Sequence, residues 1–483
     1  MAGGSLGGVY LLARCADPRG RRGNGRRLAL VYRRDRRRQR SGLGAAGGAA
    51  VAGRASGGIG TPHTTSPAHS FNHAAHAAAH RNTTRKGRGS VMNRHHSTNS
   101  NQPNHPTQPN HPSLTAPGAI TLADVATLRG RGGGNFPVAA KAEAVINAAA
   151  RTGKAPVLII NGTESDPFSA KDRYLLNNSP RTVLRGAVLM ARLIGAKKLK
   201  MVVPSELVAP LRPLAAEAGI HVSAAAPGFV AGQDSAVTAH LEGRAARPRR
   251  PHIHSTDSGY RRRPTYVGNV ETFHCIALIE QGRDPHEYVL ISVSSGVLVD
   301  AAPTNTRVIA MPSGMSVREI LRALPEGFLA EHCSPDHHVL VGGMHGTWVP
   351  ALTDQPAGSH SLFVPADYYP INVATSQILH RAADSSAGQC GPCALGLPRL
   401  AEAWDRLGDP RYGAEARETV DLMTGRRAPY PGSVGPLAGR GACSHPDGVS
   451  ELTRSALALV AGAEWGMSQA AYVPDYWQEA YYA

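Results

Sequence analysis

Between residues 155 and 227 the chain alternates short apolar runs with helical patterns, and this alternation limits its fold more than any other feature. "APVLIIN" (155–161), "KKLKMVVP" (197–204) and "IHVSAAAP" (220–227) are brief, apolar and closed by turn residues, as buried strands are. Between them, "RTVLRGAVLMARLIGA" repeats apolar residues at helical spacing, and "SELVAPLRPLAAEAG" reads as a helix broken or kinked by its prolines. Strand, helix, strand, helix, strand implies a parallel, doubly wound α/β sheet. Such sheets bind ligands outside the carboxyl ends of their strands.

Two further patterns follow. From Tyr288, "VLISVSSGVLVD", "TRVIAMPSG", "SVREILRALPE" and "HVLVGGMHGTWVP" read as strand, strand, helix, strand, which suits a small β-grasp domain. From about Asn372, four amphipathic segments suggest a helical bundle. The expected domains are 1–118 (basic leader and linker), 119–287 (α/β), 288–366 (β-grasp), 367–470 (helical) and 471–483 (tail).

The net charge of +17 invites a nucleic-acid reading, but its distribution argues against one. Residues 1–91 hold 17 Lys and Arg against two acids; the rest of the chain holds 35 against 33. The leader is too poor in apolar residues to bury a core. Three readings fit it: an organellar transit peptide, a basic arm, or a start assigned upstream of the true one. "RKGRGSVMNRHH" favours the third, with translation beginning at Met92. Order is expected from near Ile120. Six scattered cysteines are too few for a secreted disulfide scaffold, and no apolar run is long enough to span a membrane. A cytoplasmic protein, or one peripheral to a membrane complex, is expected.

Four stretches carry chemistry. "LRGRGGGNFPVAAK" (128–141) is a glycine-dense loop entering a helix, where backbone N–H groups, Arg131 and Lys141 suit an anion such as phosphate; a plain flexible turn is the alternative. "NGTESDPFSAKDR" (161–173) crowds Glu164, Asp166 and Asp172 after a strand, either to bind hydroxyls or to cap the next helix. "AGQDSAVTAHLEG" (231–243) and "TYVGNVETF" (265–273) are weaker alone, since caps and turns use the same residues. "SSAGQCGPC" places Cys390 and Cys393 in a C-x-x-C, with Cys443 fifty residues on. A thioredoxin-like C-x-x-C would follow a strand, and this one lies in a helical region.

Taken in order, these motifs resemble the NADH-binding flavoprotein subunit of respiratory complex I and the related subunits of soluble hydrogenases and formate dehydrogenases. More distantly, "IINGTE" is similar to the flavin subunit of the sodium-pumping Rnf complexes. The resemblance implies a Rossmann-like FMN-binding domain, a ubiquitin-like β-grasp domain of SLBB type, and a helical domain carrying an Fe–S cluster. It places FMN phosphate and NAD(H) at Gly130, Arg131, Gly132, Gly133, Phe136 and Lys141. It places the flavin and nicotinamide beside Asn161, Glu164, Asp166, Gly232, Gln233, Asp234 and Asn269, with Glu164 and Asp166 as catalytic candidates. Cys390, Cys393 and Cys443 match three of four cluster thiolates, and the fourth position is Ala387, so a [4Fe–4S] or a [3Fe–4S] cluster is implied.

The chain departs from that pattern elsewhere too. The glycine before Phe-Pro is Asn135, aromatic residues after the lysine are replaced by "AEA", and an adenine-covering phenylalanine falls at Ile253. Each lost platform removes about 1 kcal/mol of stacking, which weakens nicotinamide binding more than flavin binding. The implied activity is electron transfer from NAD(P)H through FMN and the cluster to a partner protein or other subunits of a redox complex, without nucleic acid. The rival is a relay or scaffold subunit that has lost nicotinamide oxidation.

Overall fold

The computed structural model describes residues 114, 116–249, 253–333, 337–357, 361–426 and 435–465. The basic leader, Met92 and the tail after 470 lie outside them.

The first layer is the expected parallel sheet. Its strands are β1 (Val157–Asn161), β2 (Lys198–Val203), β3 (Ile220–Ala224) and β4 (Thr265–Asn269), in the order β3-β2-β1-β4. β1 is central and almost wholly buried, which is why it reads as an unbroken apolar run. Helices α1 (Val138–Thr152), α2 (Lys171–Asn178), α3 (Pro180–Ile194), α4 (Ser205–Glu217), α5 (Asp234–Leu241), α6 (Ser255–Ser258) and α7 (Val270–Glu280) complete this unit. The strand order reverses between β1 and β4, and there Asn161 and Asn269 are direct neighbours at the two carboxyl ends. This is the crevice where such sheets place ligands.

Two close contacts hold the unit. Gly186 of α3 lies so near α7 that a Cβ there would sit 1.8 Å from the Phe273 carbonyl oxygen. That approach seats the start of α7, and hence Asn269, whose side chain caps it. Arg185, almost fully buried, donates to Glu280 at 2.9 Å and to the Ala116 carbonyl at 2.8 Å. Leu114 is also buried. The folded body therefore begins a few residues before the expected Ile120, because a buried guanidinium needs acceptors and the chain at 114–117 supplies them.

The second sheet is mixed, with the order β6-β5-β9-β7-β8. It comprises β5 (Tyr288–Val299), β6 (Ala302–Pro312), β7 (His338–Val341), β8 (Thr347–Pro350) and β9 (Ser361–Pro365). Helix α8 (Val317–Ala323) is fixed by a Ser316–Glu319 capping box and packs Val317 and Ile320 onto one face.

Four helices follow: α9 (Ile371–Asp384), α10 (Leu397–Asp405), α11 (Gly413–Met423) and α12 (His445–Trp465). The C-x-x-C runs into a π-turn (Pro392–Gly396) that feeds α10, and Cys443 sits just before α12, as the sequence pattern predicts. The expected boundary at 366/367 cuts through a shared core. Leu340, Met344, Trp348 and Phe363 of the sheet pack with Ile378, Leu400 and Leu452 of the helices. The Trp348 indole donates to Thr375 Oγ1 at 3.1 Å, and its amide donates to Ser455 Oγ at 3.0 Å. Among the described residues no helix is long and apolar enough to cross a membrane.

Candidate functional site

At the β1–β4 crevice the structure gathers most of the residues singled out in the sequence. The glycine loop is closed by the Gly130 amide donating to the Phe136 carbonyl at 2.9 Å. Gly132 faces Asn269 so closely that a Cβ would come within 3.1 Å of it. Gly133, at φ 91°, and Gly134 border open space, so their backbone is free to meet an anion. Asn135, where the resembled family has glycine, sits at φ 43°; asparagine is among the non-glycine residues best suited to that conformation. Lys141 of α1 reaches Asp234 of α5 at 2.8 Å. Asn161 donates to the Gly232 carbonyl at 2.7 Å, and a Cβ at Gly232 would meet the Ser165 hydroxyl at 2.8 Å.

Some expected residues are used otherwise. Arg131 turns away: its amide donates to Thr272 Oγ1 and its guanidinium to the Pro285 carbonyl. Gln233 caps α5 through its side-chain oxygen, at 2.8 Å from the Ser235 amide. Phe136 is exposed, as is Ile253 at the expected adenine position. Glu164 stands at φ 44° with its carboxylate buried, accepting from the Asp172 amide at 2.7 Å and the Arg173 amide at 2.9 Å. It therefore caps α2, the alternative that the sequence left open, but as a buried cap. Burial, with nearby Asp172, pushes its pKa up. Asp166 points out of the crevice into the second sheet, accepting from Phe168 N at 3.0 Å and Met344 N at 3.3 Å. Burial raises it to about 6 despite those two amides.

A network missed in the sequence lies beneath the crevice. Lys171, Asp172 and Glu271 are all buried. Lys171 Nζ contacts Asp172 at 2.7 Å, Glu271 at 3.1 Å and Asn269 Oδ1 at 3.0 Å, while Asn269 Nδ2 donates to Asp172 at 2.6 Å. Burial alone would discharge Lys171, but Asp172 and Glu271 outweigh it and hold its pKa above the ordinary value. This network orients Asn269. The sequence singled out its Asp172 and Asn269 but not Lys171 or Glu271.

The three thiols form a second centre. Cys393 is buried; Cys390 and Cys443 are half-buried. Burial, reinforced by Cys390 and Cys443, drives the Cys393 thiol up to about 12. A bound metal would deprotonate such a group outright. Among the described residues no three His, Cys, Asp or Glu groups close on a single-ion position. Cys275, by contrast, is a buried core residue of α7, and burial raises its thiol to about 12.

The segment from Gly228 to Gly232 joins the two centres. Gly228 lies against the Ser385 carbonyl, in the loop before Cys390. The Phe229 ring packs on His345 (4.6 Å between centroids) and His445 (5.3 Å). His345 Nε2 and His445 Nδ1 are 2.7 Å apart, and His445 Nε2 lies 2.8 Å from the Ala382 carbonyl, so His445 donates there and accepts from His345. Burial, with His445 beside it, depresses His345 to about 3. An open cleft of about 1070 Å³ runs along this seam, lined by Thr163, Ser165 and Phe229 on one wall and His380 and Arg381 of α9 on the other.

Two family models match this chain: the Nuo51 FMN-binding domain over residues 124–278 and the NADH-ubiquinone oxidoreductase-F iron-sulfur binding region over 373–460. The first covers the crevice and the second the three thiols. A subunit of the NADH-quinone oxidoreductase of Rhizobium meliloti is 26% identical over 315 residues, spanning 58% of this chain and 74% of the relative. The HndC subunit of the NADP-reducing hydrogenase of Solidesulfovibrio fructosivorans is 27% identical over 337 residues, spanning 61% and 66%. A solved NAD+-reducing [NiFe]-hydrogenase in the H2-reduced state contains a chain 26% identical with TM-score 0.58; the match covers 72% of this chain and 62% of that one. The resemblance read from the sequence is borne out: this chain is similar to the F subunit of NADH-quinone oxidoreductase and to a subunit of NAD(P)-linked hydrogenases. Its two matched regions support an NADH dehydrogenase-like, FMN- and Fe–S-dependent oxidoreductase.

Proposed function

We propose that the chain takes electrons from a reduced nicotinamide nucleotide at the crevice and delivers them to a partner protein through the three-thiolate centre. The observation that carries this is the convergence of the glycine loop, Lys141, Asn161, Gly232 and Asn269 on the β1–β4 switch point, with the thiol loop touching the same segment at Gly228. When bound, FMN converts a two-electron hydride transfer into single-electron steps.

The protein's residues supply position and electrostatics. Backbone amides of 132–134 and the Lys141 ammonium hold the phosphate. Asn161 and Asn269 present polar edges that the buried Lys171 network keeps in one orientation. Cys390, Cys393 and Cys443 hold the iron. The second sheet is read as the β-grasp, SLBB-type element and α9–α12 as the cluster-bearing bundle, the two joined by a shared core.

One observation favours the rival relay reading. Glu164 and Asp166 are committed to α2 and to Met344, and neither exposed Ile253 nor "AEA" offers an aromatic platform. Anaerobic addition of NADH, then NADPH, to the flavin-loaded full chain separates the two. Bleaching of the flavin absorbance is expected; a flavin that stays oxidised with both donors but is reduced by dithionite would establish the relay.

A further inference from the structure

The two stretches that carry the thiols are far apart in the chain, and one side chain ties them together. Cys390 and Cys393 follow α9, and Cys443 precedes α12. His445, the first residue of α12, is buried, and its Nε2 lies 2.8 Å from the carbonyl oxygen of Ala382 in the last turn of α9. A carbonyl only accepts, so that nitrogen carries the proton and Nδ1 is left as an acceptor. His345, in the turn before β8, stands 2.7 Å from this Nδ1 through its own Nε2, and therefore donates to it. Both nitrogens of His445 are thus occupied. It is not an iron ligand but a clamp between the two thiol segments. His345 is itself closely fitted. Gly448, in the first turn of α12, faces its ring so tightly that a Cβ would lie 2.4 Å from His345 Cγ, and Phe229 packs on it with 4.6 Å between centroids.

We infer that His345 is a positioning residue for the iron–sulfur centre: by donating to His445 it fixes the ring that sets Cys443 against the Cys390–Cys393 loop. The inference rests on the reading of an iron–sulfur centre proposed above. His345 belongs to the second sheet, so the spacing of the three sulfur atoms depends on a donor outside the helical region that carries them. Without that donor, His445 Nδ1 becomes a buried acceptor with an unmet hydrogen bond, a cost that the ring relieves by turning away from Ala382. Cys443 lies two residues before that ring and moves with it. A site with alanine at position 387 has no spare thiolate to absorb such a shift. Outer partners of this kind orient metal ligands, and their loss weakens metal retention roughly 10–100-fold.

The test uses the full chain, loaded with FMN and reconstituted anaerobically with iron and sulfide. Iron per chain, the rate of iron release to a chelator and low-temperature EPR are read for wild type, His345→Gln, His345→Leu and Gly448→Ala. Glutamine keeps an N–H donor near the place of Nε2; leucine fills the space without one. His345→Leu should release iron roughly 10–100-fold faster than wild type and broaden the EPR signal. His345→Gln should restore most of the wild-type rate and line shape. Gly448→Ala favours the helix by propensity, yet it should behave like His345→Leu, because its methyl group displaces the ring. FMN content, unchanged in every variant, reports that each has folded; should the leucine variant lose FMN as well, Gly448→Ala decides on the same readings. If the ring served only as packing, leucine would outperform glutamine. That reversed ranking, or wild-type iron release in both His345→Leu and Gly448→Ala, would overturn the assignment while leaving the cluster in place. No iron in the wild type, with FMN still bound, would overturn the iron–sulfur reading and this inference with it.

Discussion

The crevice and the thiol loop are built from different materials. The crevice is made of strand ends, a glycine loop and the register that sets Asn161 beside Asn269. The thiol centre is made of three sulfur atoms, with nothing in the backbone that can stand in for a fourth. The crevice therefore tolerates drift. Asn135 holds a left-handed turn in place of glycine, and Gln233 has become a cap, yet the cradle still converges. A ligand set made of side-chain atoms changes its chemistry with a single substitution, as Ala387 shows.

The largest effect expected from this contrast is at Cys393. Cys393→Ala should abolish iron binding while leaving FMN content at wild-type level, measured as iron and flavin per chain. Joint loss of both cofactors would mean that the two centres are one cooperative unit and would break the comparison.

Next comes Lys141, the cation at the crevice edge. Lys141→Ala removes a charge-assisted contact, so FMN binding should weaken by roughly 1.5–3 kcal/mol, tenfold or more in the dissociation constant. Iron content should not move. An unchanged FMN affinity in a flavin titration would show that the backbone alone holds the phosphate and would sharpen the contrast further.

The smallest effect lies at the join. Asp166 ties the acidic loop to Met344 with a carboxyl raised by burial to about 6. The folded state thus binds its proton more tightly than the unfolded chain, whose value is near 3.8. Its stabilising contribution is fully present below about pH 3.8 and is lost as pH rises through 6. The stability of wild type relative to Asp166→Asn should therefore fall by roughly 1–3 kcal/mol between pH 4 and 6.5. Parallel pH profiles in urea titrations would show that Asp166 faces water and that the loop is not docked on the second sheet.

Much of this was legible because it is local. Apolar runs bounded by turns require buried strands, glycines permit open backbone, and Cys390, Cys393, Cys443 and Ala387 are identities that no fold alters. Helical periodicity likewise put the C-x-x-C at the start of the second C-terminal helix and Cys443 in the loop before the fourth. What the sequence could not settle was where side chains in loops point. Glu164 and Asp166 sit two residues apart in one acidic stretch; one caps α2 because that helix leaves its first amides without partners, and the other serves amides at Phe168 and Met344, the latter 178 residues away. The burial of Arg185 on the 114–117 carbonyls and the core shared across the expected 366/367 boundary are decisions of the same kind. Each depends on which distant polar group or apolar face arrives to be satisfied, and only the tertiary structure brings those groups together.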